Sequence, residues 1–112
     1  MNSEPTMPRP KRMAPADVEP AIIGDTRFEA IHFGRDRDLD QDGGYIGAYD
    51  VKTGEELWTL KVYTTKYNSK MERDVQDVFI LQLEPEGDRL LVIDEHHKRY
   101  VVDVVNRTVL KK

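Results

Sequence analysis

The stretch DRDLDQDGGYIGAYD, Asp36 to Asp50, sets five aspartates among three glycines. Asp38, Asp40, Asp42 and Gly43 follow D-x-D-x-D-G, a pattern in which alternate carboxylates fold around a hard cation and the glycine allows a sharp turn. Calcium is the one cofactor this spacing suggests, with Asp38, Asp40 and Asp42 as its candidate metal ligands. The second half of the pattern fails. A helix–loop–helix site needs a bidentate glutamate where Tyr49 stands, and a calcium loop between strands needs a carboxylate where Ile46 stands. Calcium takes roughly six to eight oxygens, more than these carboxylates supply. Arg35 and Arg37 lie beside them and can neutralise the charge. We therefore expect a solvated loop, with a calcium site as the alternative.

Other reactive groups are sparse. His96 and His97 sit next to Asp94 and Glu95, but adjacent strand residues point to opposite faces and cannot converge on one ion, so an exposed hairpin turn is expected. His32, in FEAIHF, reads as a half-buried strand histidine that lacks a partner nucleophile. The two serines are Ser3 and Ser69, neither in a nucleophile-elbow context. There is no cysteine, which removes disulfides, thiolate zinc sites and thiol catalysis. No phosphate-binding glycine loop is present. No residue is assigned a catalytic role; an enzyme reading would need a carboxylate or His32 in the mouth of a small β-barrel hydrolase or isomerase.

The elements that must position these groups follow from composition and periodicity. Residues 1–20 hold Pro5, Pro8, Pro10, Pro15 and Pro20. Proline fixes φ and lacks an N–H, so this reads as a disordered, Pro-rich tail. Residues 21–112 are then left to form a single β domain. The net charge of −4 resides wholly in that part, which argues against nucleic acid as the main partner. No apolar run reaches membrane-spanning length and no secretory leader is visible. A cytoplasmic protein with no membrane partner is expected.

From Ala21 onward apolar residues alternate and turn signals recur, the pattern of an all-β chain. EPAII and TRFEAIHF flank Gly24-Asp25; YIGAYDV and ELWTLKVYT flank KTGE; DVFILQLE, RLLVIDE, RYVVDVV and TVLKK complete the series. This predicts about eight antiparallel strands in two four-stranded meanders, packed as a small sandwich or barrel. One short helix is expected near 69–76, where Ser69 and Glu72 have capping-box spacing and Met71, Val75 and Val78 recur helically. Asp50 matches Asp103 in a weak internal repeat.

In AYDVKTGEELW, Gly54 can take the positive φ that a four-residue loop requires, and Asp50 can accept the turn amides. With Val51 to Gly54 as the loop, strand parity places Tyr45, Gly47, Tyr49, Trp58, Leu60 and Val62 on one face, expected to be the core with Trp58 over Gly47. Residues 43–58, GGYIGAYDVKTGEELW, resemble a single blade repeat of the quinoprotein-type β-propeller: Gly44, Ala48, Asp50, Thr53, Gly54, Leu57 and Trp58 stand where that pattern has them. The resemblance implies local blade-like structure; none of the family's quinone-binding residues can be matched. The function expected is a non-catalytic protein-interaction or accessory module with an unknown protein partner and an undetermined oligomeric state.

Overall fold

The computed structural model describes residues 17–66 and 76–111. Strands β1 (Ala21–Ile23), β2 (Thr26–Ile31), β3 (Tyr45–Asp50) and β4 (Glu56–Lys61) form one antiparallel sheet in chain order. Strands β5 (Ile80–Glu86), β6 (Arg89–Asp94), β7 (Arg99–Asp103) and β8 (Thr108–Lys111) form the second in the same way. Among the described residues the one helical element is a 3-10 turn, Gly34–Arg37. The chain is thus all-β, as expected, with two four-stranded meanders. Among the described residues they share no hydrogen-bonded strand pair, so the arrangement is two packed layers and not a closed barrel. The tail up to residue 16 and nearly all of the helix expected near 69–76 lie outside the described residues.

Local chemistry explains the turns. Asp50 Oδ1 accepts the amides of Lys52 (2.8 Å) and Thr53 (3.0 Å), and Gly54 takes φ +77° to close the loop. The β7–β8 turn repeats this construction. Asp103 Oδ1 accepts the amides of Val105 and Asn106 at 3.0 Å, with Arg107 at φ +58° in the place of Gly54. Pro85 sits in β5, an edge strand, where its missing N–H costs no ladder bond.

The two layers share one core. Phe28, Ile46 and Ala48 from the first sheet, with Val62 just past β4, meet Ile80, Leu83, Leu90, Val92 and Val102 from the second. The sheets approach most closely where β1 and β2 meet β5. This corrects the expected face of β3. The loop is as read, with the Asp50 amide donating to the Glu55 carbonyl at 2.9 Å. A bulge then inserts one extra residue in β4, so Tyr49 pairs with Glu56 but Ala48 pairs with Trp58. One extra residue reverses parity along the rest of the pair. Ile46 and Ala48, both fully buried, therefore face the core with Trp58 and Leu60, while Tyr45, Gly47 and Tyr49 face away. Gly47 is covered by the Tyr49 ring and not by Trp58. Trp58 packs on Phe28 with ring centroids 5.8 Å apart, and the Arg107 guanidinium lies 5.4 Å from its ring.

Candidate binding site at the loop end of the sheets

The β2–β3 connection, the segment after β4, the segment before β5 and the β6–β7 turn gather at one end of the molecule. Hydrogen bonds between them tie the sheets together there. The hub on the first sheet's side is Gln41, 1% exposed, which joins the β2–β3 connection to the segment after β4. Its Nε2 donates to the carbonyls of Gly43 and Tyr63, both at 3.0 Å, and its Oε1 accepts the Thr65 amide at 2.9 Å. A glutamine can serve all three because one amide carries both donors and an acceptor. Gly43, at φ +74°, lets the loop pass so close that a Cβ there would stand 2.5 Å from the Val78 carbonyl oxygen.

Two aspartates of the loop, Asp40 and Asp42, are spent on this architecture. Asp42 accepts from the Arg35 amide (2.9 Å) and from Arg35 Nη2 (3.0 Å), and Arg35 also reaches Asp77 at 3.4 Å across the seam. Asp40 accepts from the Tyr45 hydroxyl (2.6 Å) and Lys61 Nζ (2.5 Å). The hydrogen bond from Lys61, seconded by that from Tyr45, holds the Asp40 carboxyl below its ordinary range. Asp38 is exposed and closes the 3-10 turn with φ +64°. The structure thus does not bring Asp38, Asp40 and Asp42 together as a ligand set. Among the described residues no group of three His, Asp or Glu side chains is placed to hold a metal ion. Arg37 pairs with Glu56 of β4 at 2.6 Å, so of the two arginines expected to neutralise the loop Arg35 does so and Arg37 reaches outside it.

Next to this loop lies a pocket of about 210 Å³. Its aromatic wall is Tyr63 stacked on Tyr100, centroids 5.0 Å apart and planes 24° from parallel. Both rings are pinned by their hydroxyls: Tyr63 donates to the Val78 carbonyl (2.6 Å) and Tyr100 to Asp94 Oδ2 (2.8 Å). Burial raises both phenols above the ordinary tyrosine range, and the neighbouring Asp94 charge raises them further. Asp94 is 2% exposed, and besides the Tyr100 hydroxyl it holds two amides: its Oδ1 accepts from His96 N (2.8 Å) and Lys98 N (3.0 Å). Asp94 therefore builds the β6–β7 turn much as Asp50 and Asp103 build theirs, with His97 at φ +65°. Lys66, His96 and Lys98 complete the rim with Thr64, Thr65, Gln76 and Val78.

His96 and His97 are exposed in the turn. His32 is half-buried, edge-on to Phe79 at 5.4 Å, and does not line the pocket. Phe33 beside it is 51% exposed and lies 6.4 Å from Phe79. The sequence reading missed Tyr63, Tyr100 and Gln41. The one available signal was positional: an aromatic just past β4 and another opening β7, each next to a turn or loop. No protein-family model, no curated protein and no solved structure matches this chain.

Proposed function

We propose that this protein is a non-catalytic binding module that recognises a partner protein through the loop end of its two sheets. The observation that carries the reading is the commitment of Asp94. Among the described residues it is the one carboxylate lining the pocket, and its oxygens accept from two turn amides and the Tyr100 hydroxyl. A general base must present a lone pair to a substrate proton, whereas Asp94 is 2% exposed and already accepts three hydrogen bonds; a nucleophile needs an activating neighbour. Asp94 instead holds a tyrosine wall rigid. Rigid aromatic surfaces with few exposed anchors suit recognition, and Phe33 supplies such an anchor at the same end, half-exposed against His32 and Phe79. The cysteine-free, charge-rich composition fits a cytoplasmic module.

The test is a paired measurement. Immobilised protein is exposed to an extract of its source cells, and the same protein is assayed against ester, glycoside and phosphoester substrates. We expect a discrete retained protein whose binding falls at least tenfold in Phe33→Asp, and no turnover. Turnover that disappears in Asp94→Asn, with the fold intact, would overturn the reading.

A further inference from the structure

We infer that the pocket between Tyr63 and the β6–β7 turn receives a carboxylate side chain from an acidic segment of the partner protein. The inference rests on the binding-module reading and names the chemistry of its partner. The groups that the rim presents are donors. Lys66 and Lys98 are exposed, line the pocket, and among the described residues form no ion pair. This sets them apart from the cations of the adjoining loop, since Arg35, Arg37 and Lys61 are all held by carboxylates. His96 adds a third side chain with donor capacity at the rim. Thr65 lines the same pocket with a buried hydroxyl that has no hydrogen-bond partner, and a buried polar atom in that condition is rare enough to call for a ligand or another explanation.

The acids nearby do not offer a cation site. Asp94 is occupied as described, and Glu95 Oε1 accepts the Phe79 amide at 3.1 Å. Their charge lowers the net positive potential of the rim, but the Asp94 oxygens face the turn amides and Tyr100, and Glu95 Oε1 faces the seam. Among the described residues the exposed charged groups that a ligand meets here, Lys66 and Lys98, are donors, and acceptors complement them. A carboxylate on a short apolar stem fits: the stem lies along the stacked rings, and the oxygens reach Lys66, Lys98 and Thr65. The domain is otherwise acidic, so an acidic segment would be repelled elsewhere and guided to this opening.

The test uses the full chain and a fluorescein-labelled dodecaglutamate peptide, read by anisotropy at low salt. Saturable binding is expected, weakened at least tenfold in Lys66→Gln/Lys98→Gln and unchanged in Lys52→Gln, which removes a charge from the opposite-end loop. Thr65→Val should weaken binding several-fold while leaving the melting temperature equal or higher, because it replaces an unsatisfied hydroxyl by a methyl group. Equal loss in Lys52→Gln would reduce the effect to bulk charge, and peptide binding indifferent to Lys66 and Lys98 would place it elsewhere; either result overturns the inference. Pocket-dependent binding of free glutarate as tight as that of the peptide would overturn the peptide source in favour of a small dicarboxylate. Partner retention that depends on Phe33 but survives Lys66→Gln/Lys98→Gln would leave the binding-module reading standing and remove this inference alone.

Discussion

Replacing Gln41 by leucine should cost about 3 kcal/mol, and replacing it by glutamate should cost more at neutral pH. The side chain is 1% exposed and makes three hydrogen bonds, two to carbonyls and one from an amide. Each is worth about 1 kcal/mol net, and more where the orphaned backbone group stays dry. Leucine has similar volume, so no large cavity adds to the loss. Glutamate keeps the acceptor for the Thr65 amide but sets a carboxylate oxygen where Nε2 stood, facing two carbonyl oxygens at about the 3.0 Å that Nε2 keeps. Burying that charge without a donor makes the expected cost about 4 kcal/mol or more at pH 7. Protonation returns one donor, so the difference from wild type should shrink by roughly half between pH 7 and pH 5. The folded pKa of the new glutamate is raised, so its penalty is present above that pKa and relieved as pH falls through it. A domain of this size has roughly 5–10 kcal/mol in hand, so both variants should still fold. Urea titration followed by Trp58 fluorescence at the two pH values provides the measurement. A Gln41→Glu variant as stable as wild type at pH 7, or a leucine variant within 1 kcal/mol of it, would refute the role given to this hub.

Gly43→Ala should destabilise by several kcal/mol, because its φ is positive and the new Cβ would meet the Val78 carbonyl oxygen, whereas Gly54→Ala, also at positive φ but with no atom within 4 Å, should cost only about 1 kcal/mol; thermal melts of the pair separate strain from collision. Alkaline titration should show Tyr63 and Tyr100 ionising last. Their folded pKa values are raised, so the stability they contribute is intact below about pH 10, the unfolded tyrosine value, and is lost as pH rises beyond it; tyrosinate absorbance that appears for these residues without unfolding would contradict the burial. At the acid end, Asp40→Asn should flatten the loss of stability below about pH 4, since the Asp40 pKa is depressed and its contribution disappears as pH falls through the folded value; the check is the pH dependence of the urea midpoint in variant and wild type. Millimolar calcium and EDTA should leave the melting temperature unchanged, because Asp40 and Asp42 already have cationic partners; a rise of several degrees with calcium would restore the cation site.

Alternation of apolar residues and the turn residues between them were enough to read eight strands in two meanders, and the Asp50 loop, because a strand's faces and a turn's dihedrals are set by near neighbours. Asp50 at the head of its turn needed only the four residues that follow it. The parity of β3 was beyond that reach: the bulge at Leu57 answers to packing between sheets, where Ala48 rather than Gly47 fits beneath Trp58. The fate of the Asp-rich loop was likewise a tertiary matter. Its arginines were visible as neighbours, but Asp40 is held by Lys61 and Tyr45, Arg35 reaches on to Asp77, and Gln41 bonds to residues beyond β4. The pocket arises from the same cause, since Tyr63 lies just past β4 of one sheet and Tyr100 in β7 of the other, and they meet only when the two layers close. Local periodicity determines which way a side chain points; only the packed layers decide what it finds there.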